Sequence, residues 1–98
     1  MRRIKLIVAY DGTNYCGWQV QPEVPTIEGE LNQAISRLTK EESIVIGASR
    51  TDAGVHAKGN VAVFDTESTI PADRFAYALN PLLPEDIVVV KSDEVPLD

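Results

Sequence analysis

The chain has 98 residues, of which 44% are hydrophobic and 24% charged, and its formal net charge is −6. This length predicts one small domain with a single core, and no apolar run approaches the roughly 20 residues of a membrane span. The acidic charge argues against strong nucleic-acid binding by the whole surface, because such binding depends on Lys and Arg. Residues 85–98, however, hold five acidic residues against one lysine. A local basic patch therefore remains open, from Arg2, Arg3, Lys5, Arg50 and Lys58.

One cysteine, Cys16, and one histidine, His56, exclude an internal disulfide and an ordinary structural zinc site. We therefore expect no metal, and a reducing, cytoplasmic setting. The apolar run near the N-terminus is interrupted by polar residues and a glycine at 10–14, so it predicts a first strand and not a signal peptide.

The first two elements have clear periodicities. Residues 4–10 alternate as a strand does. A helix is predicted to follow, with Thr26 as its N-cap and with Glu28 and Glu30 near the positive end of its dipole. Its apolar face has helical spacing and consists of Ile27, Leu31, Ala34, Ile35 and Leu38.

The second half of the chain predicts two strands, a helix and a strand. The strands at 44–48 and 60–64 flank a connection of about ten residues. A helix beginning at Pro71 and ending at Asn80 precedes the last strand, at 87–90. The order β-α-β-β-α-β predicts an α+β, ferredoxin-like domain, in which two helices cover one face of a four-stranded antiparallel sheet.

The face of this sheet without helices is predicted to be apolar. It would carry Ile7 and Ala9, and one of the valine pairs at 61/63 and 88/90, with Phe64 as a further candidate. An exposed apolar patch of this size predicts a partner surface on a second domain or a second chain.

The connection at residues 47–57 concentrates the reactive side chains. Arg50 beside Asp52 would keep the carboxylate ionised, and an ionised carboxylate can act as a nucleophile or base or can stabilise an oxocarbenium-like sugar. The same residues also suit an ordinary hairpin connection, in which Asp52 and Gly54 satisfy turn geometry. Spacing alone therefore names no reaction.

Three stretches in the same order resemble the tRNA pseudouridine synthase A family. They are Tyr-Asp-Gly-Thr-Asn-Tyr-Cys-Gly-Trp-Gln-Val-Gln at 10–21, Arg-Thr-Asp-Ala-Gly-Val-His-Ala at 50–57, and Ala-Leu-Asn-Pro-Leu-Leu-Pro at 78–84 before Asp86 and Ile87. Family proteins are considerably longer than this chain. The resemblance implies that residues 1–98 form a single N-terminal, catalytic-aspartate domain of a longer pseudouridine synthase whose C-terminal portion is absent.

The resemblance also implies an activity and a set of site residues. The activity is isomerisation of uridine to pseudouridine at nucleotides 38 to 40 of the tRNA anticodon stem-loop, without cofactor, metal or membrane, by a homodimer. Asp52 matches the catalytic aspartate, and the implied substrate-binding residues are Arg50, Thr51, Gly54 and His56. Ser49 replaces a common family glycine, and the family's substrate-contacting tyrosine lies beyond position 98. The isolated chain is therefore expected to carry the aspartate without a complete pocket.

Two other functions stay open at this point. A noncatalytic RNA-binding module could have the same element order. Its third strand, however, would need aromatic residues, and residues 60–63 of the predicted third strand contain none before Phe64. A dimerising ferredoxin-like module would need only the apolar sheet face. Trp18 and Tyr15 are predicted to pack in the core, and Asp11 suits a turn as well as it suits a functional role.

Overall fold

The structure is a computed structural model that describes residues 1–15, 26–42, 44–47 and 57–96. The α+β class is confirmed. The strands and helices in chain order are β1 (Arg2–Tyr10), α1 (Ile27–Thr39), β2 (Ile46–Gly47), β3 (Ala57–Thr66), α2 (Phe75–Leu79) and β4 (Ile87–Val95). Short 3-10 helices lie at Gly12–Asn14, Ala72–Arg74 and Asn80–Leu82.

The three long strands form an antiparallel sheet with β1 at its centre. β3 pairs with one side of β1 and β4 with the other, and β2 pairs with the outer side of β3, giving the order β2-β3-β1-β4. β3 and β4 are longer than the predicted runs at 60–64 and 87–90. Charged pairs between β1 and its neighbours accompany this extension: Nε of Arg3 lies 2.8 Å from Asp65, and Nε of Arg2 lies 3.1 Å from Glu94.

β2 begins two residues later than the strand predicted at 44–48, and the ferredoxin-like arrangement of four full strands is not established by the described residues. The amide of Val45 donates to Oδ1 of Asn32 on α1 at 2.9 Å. Because that N–H is bonded to a helix side chain, strand pairing begins only at Ile46, which lies opposite Val63.

α1 agrees with the prediction. Thr26 accepts a hydrogen bond from the amide of Gly29 at 3.2 Å, and the helix ends at Lys40 in the left-handed conformation (φ 63°). α2 is only five residues long, shorter than the helix predicted between Pro71 and Asn80. Its flanking turns are 3-10 helices, and the second contains Pro81, which cannot donate a helical hydrogen bond. No helix in the described part of the chain is long and apolar enough to span a bilayer.

The core lies between the two helices and one face of the sheet. The largest side chains buried there include Ile4, Leu6, Leu31, Ile35, Phe64, Phe75 and Leu79. Phe64 and Phe75 meet edge to face, with ring centroids 5.4 Å apart. The placement of Phe64 on the open face was wrong, because Phe64 lies opposite the buried Ile4 and shares its face.

The opposite face of the sheet is open among the described residues, and it is only partly apolar, because Lys5 lies on it opposite Asp93 and Lys91 lies on it opposite Ile7. Ile7, Val61 and Val63 are half-buried there, and Val88, which lies opposite Ala9, is 44% exposed. The pair Val61 and Val63 therefore lies on this face together with Val88, whereas Val90 is the extra residue of a bulge in β4 and lines a pocket beside Tyr77 of α2.

Candidate active site

The strands β2 and β3 hold the two ends of the reactive connection. Gly47 at the end of β2 lies opposite Ala62, and Ala57, the first residue of β3, lies opposite Tyr10 at the end of β1. The predicted site residues fall outside the described residues, and their roles stay predictions: Arg50, Thr51, Asp52, Gly54 and His56. The structure thus defines where this connection joins the sheet.

β3 contains an irregularity just after the connection. Val8 lies opposite Asn60 and Tyr10 opposite Ala57, so β1 advances two residues while β3 advances three. The extra residue makes a β-bulge, which bends its strand and changes the direction of the chain. The bulge therefore bends β3 next to the point where the connection joins it, and no sequence pattern predicts it.

A buried polar pair lies beside this bulge. Tyr10 is 5% exposed and Asn60 7% exposed, and Nδ2 of Asn60 donates to the Tyr10 hydroxyl at 3.5 Å. Oδ1 of Asn60 accepts from the amide of Val61 at 3.1 Å. Because a buried polar group without a partner is costly, these bonds favour one arrangement of the strand start.

Asp86 joins the first and third resembling stretches at the same end of the sheet. Its carbonyl accepts from the amide of Asp11 at 2.9 Å. Its carboxylate accepts from the Tyr15 hydroxyl at 2.5 Å and from Nδ2 of Asn14 at 3.3 Å. Asp86 thereby joins the end of β1 and the turn after it to the start of β4. The sequence did not predict this role for Asp86.

Asp11 is a turn former. Its Oδ1 accepts from both the amide and the hydroxyl of Thr13, at 3.0 and 2.6 Å, and so caps the 3-10 helix Gly12–Asn14. Of the two interpretations of Asp11 that the sequence allowed, the structure supports the turn.

Tyr15 packs in the core, as predicted, and also makes a polar contact. The side chain is buried, and burial is the largest cause that raises the pKa of Tyr15 well above its ordinary value. The hydrogen bond to Asp86 and the negative charges of Asp86 and Glu30 raise it further. The phenol is therefore a protonated donor at neutral pH and not a base. Trp18 lies outside the described residues.

Two arginines proposed for a basic patch are bonded elsewhere. Nη1 of Arg2 donates to the carbonyls of Ser68 and Ile70 at 2.7 and 2.8 Å, and Arg3 donates to both carboxylate oxygens of Asp65. Both lie at the beginning of β1, whereas the connection enters β3 at Ala57, opposite Tyr10 at the end of β1. Neither arginine adds a free cation near the connection. Among the described residues, no group of three His, Cys, Asp or Glu side chains could hold a metal ion.

Comparison with known proteins gives consistent results. A family model described as tRNA pseudouridine synthase matches residues 6–98. A protein named tRNA pseudouridine synthase A from Acetivibrio thermocellus is 57% identical over 98 residues, which are 100% of this chain and 40% of that protein. Proteins of the same name from Clostridium botulinum and Syntrophomonas wolfei are 55% and 56% identical, over 100% and 96% of this chain. The chain spans about 40% of the length of the curated relatives it matches.

Proposed function

Because the chain belongs to the tRNA pseudouridine synthase family, we propose that it supplies the aspartate-bearing part of an enzyme that isomerises uridine in tRNA to pseudouridine. The family match over residues 6–98 carries this proposal. The substrate we propose is the anticodon stem-loop, at nucleotides 38 to 40, and the setting is the cytoplasm. Asp52 is the proposed catalytic residue.

The proposed chemistry needs a single carboxylate. The bond between N1 of uracil and C1′ of ribose breaks, the base rotates, and C5 joins C1′. C5 then loses its proton while N1 gains one, so substrate and product contain the same atoms. A carboxylate can form a covalent intermediate, remove a proton or stabilise the cationic sugar as the first bond breaks.

The other loop residues are proposed to bind the nucleotide. A uridine stacked in a stem must leave the stack before a side chain can reach it, at a cost of a few kcal/mol. Arg50 is suited to hold or replace the flipped nucleotide, since a guanidinium can stack on bases and bind phosphates. Thr51, Gly54 and His56 would shape the loop around it.

Domain organisation and assembly form part of the proposal. The order β2-β3-β1-β4 supports a ferredoxin-like sheet in which β2 is a short fourth strand. Residues 1–98 would form one catalytic-aspartate domain, and the 60% of each relative that this chain does not match would complete the pocket. The exposed Val88 on the open face, which also carries Ile7, Val61 and Val63, supports a homodimer or a domain interface.

The RNA-recognition alternative is disfavoured by the side chains on the open face. Modules of that fold stack bases on aromatic residues of their central strands. On β3 the open-face positions hold Val61 and Val63, and the aromatic Phe64 is buried beneath the helices. A noncatalytic dimerising module remains the second candidate, because the apolar face would suit it.

The test is pseudouridine formation on an unmodified tRNA and on its anticodon stem-loop. Two proteins are compared: the 98-residue chain, and a hybrid in which it replaces the 98 matching residues of the Acetivibrio thermocellus relative. Each protein is made in three forms: unsubstituted, with Asp52→Asn, and with Asp73→Asn as a matched control. Asp73 is exposed on the 3-10 helix before α2.

We expect the hybrid to form pseudouridine, Asp52→Asn to abolish turnover with the fold retained, and Asp73→Asn to have no effect. An inactive but folded hybrid, alongside the active relative, would contradict the proposal. RNA-independent dimerisation unaffected by Asp52→Asn, together with that inactivity, would favour the dimerising module.

A further inference from the structure

We propose that Asp86 is a positioning residue for the isomerisation, because it fixes the end of the sheet to which the Asp52-bearing connection is attached. The inference rests on the proposed function, but it concerns a residue outside the reactive connection. Asp86 lies 34 positions after Asp52 in the chain and acts through a path of backbone contacts.

That path is short. The carbonyl of Asp86 holds the amide of Asp11 at 2.9 Å, and the preceding residue, Tyr10, lies opposite both Ile87 of β4 and Ala57 of β3. Ala57 ends the reactive connection, and the bulge of β3 follows directly after it. A shift of Asp86 therefore moves the end of β1, and with it the anchor of the connection.

The carboxylate gives this anchor its strength. It accepts hydrogen bonds from Tyr15 and Asn14, at 2.5 and 3.3 Å, which closes the turn after β1 onto the start of β4. Hydrogen bonds to an ionised acceptor are about twice as strong as those between neutral groups. The half-buried Asp86 and the buried Tyr15 hold each other in one orientation. The start of β4 does not depend on the Asp86 side chain for its first amide, since the amide of Ile87 donates to the carbonyl of Pro84.

A positioning role predicts a loss of rate, since a displacement of about 1 Å can slow an enzyme by roughly a hundredfold. Asp86→Asn keeps the size of the side chain and removes its charge, and Tyr15→Phe removes the donor. In the hybrid, each should lower kcat by about tenfold to a hundredfold with little change in KM. The two effects on log kcat should be less than additive in the double variant, because both substitutions weaken the bond between Tyr15 and Asp86.

Thr66→Val is the matched control. The hydroxyl of the buried Thr66 donates to the half-buried Glu41 carboxylate, so this variant also deletes a side-chain hydrogen bond to a carboxylate. Thr66 lies opposite Arg2, however, at the far end of β1, roughly 26 Å from Tyr10 for a strand of this length. It should lower stability while leaving kcat per folded molecule unchanged.

A second measurement does not depend on activity. In the 98-residue chain, Asp86→Asn should speed amide hydrogen exchange of Asp11 and Tyr15 by about tenfold or more, and Thr66→Val should leave both unchanged. Unchanged exchange at these amides would overturn the inference even if the hybrid were inactive. Faster exchange with an unchanged kcat would also overturn it, and would leave the proposed function intact if Asp52→Asn still abolished turnover.

Discussion

Ser92→Ala tests how α2 is held on the sheet. Oγ of Ser92 on β4 accepts a hydrogen bond from the amide of Ala76 at 3.0 Å, and the two residues are 3% and 7% exposed. Ala76 is the second residue of α2, and amides in the first turn of a helix lack a partner within it. The hydroxyl of Ser92 therefore caps the helix from the neighbouring strand.

Removing that hydroxyl leaves a buried amide without this acceptor, which costs about 1–3 kcal/mol in the free energy of unfolding. In a domain of this size each kcal/mol lowers Tm by roughly 4–8 °C, so we expect Tm to fall by at least about 4 °C. Thermal and urea unfolding followed by circular dichroism measure both quantities, and the dependence on urea should keep its slope.

Thr69→Ala is the control, because Thr69 is exposed and its replacement should change stability by no more than about 0.5 kcal/mol. Equal stabilities of Ser92→Ala and Thr69→Ala would refute this account of α2, and would mean that the Ala76 amide does not depend on Ser92.

Three further predictions concern pH and the open face. The hydrogen bond from Thr66 is the largest cause that lowers the pKa of Glu41. The stability that the ionised Glu41 contributes is therefore complete above about pH 4.3 and is lost as pH falls through the lowered pKa. In urea titrations, Thr66→Val should destabilise the chain at pH 7 and much less near pH 2. The pKa of Tyr15 is raised, so stability should fall as pH rises above about 10, and Tyr15→Phe should lose this alkaline decline. Val88→Thr, at a residue 44% exposed on the open face, should weaken self-association in analytical ultracentrifugation without lowering Tm, because that face is the proposed interface between copies.

The sequence predicted best those elements that depend on local patterns. α1 was predicted with its cap and its buried face, because helical spacing and the Thr26 side chain both act within the element. The strand β2 was predicted to begin two residues too early, since the bond from Val45 to Asn32 joins two elements and leaves no trace in local periodicity. Phe64 was misplaced because residues 61–64 are apolar on both faces, so the pattern could not tell which face is buried.

The candidate site also combines a residue that the sequence predicted with contacts that it did not predict. Asp52 was identified by the resemblance and not by spacing, which a hairpin connection would have explained as well. The link between Tyr15 and Asp86 spans 71 positions, and no sequence pattern pairs residues that far apart. The bulge in β3 depends likewise on register against β1, which only the paired strands define.

The most direct test of the proposed function is proton release from C5 of uridine in an anticodon stem-loop, measured with the hybrid and its Asp52→Asn form. Release occurs only when C5 becomes bonded to the sugar, so it reports the isomerisation itself. We expect release by the hybrid at nucleotides 38 to 40 and none by the Asp52→Asn form. Equal release by both proteins would contradict the assignment of Asp52 as the catalytic residue, and no release by either would contradict the isomerase function of this chain.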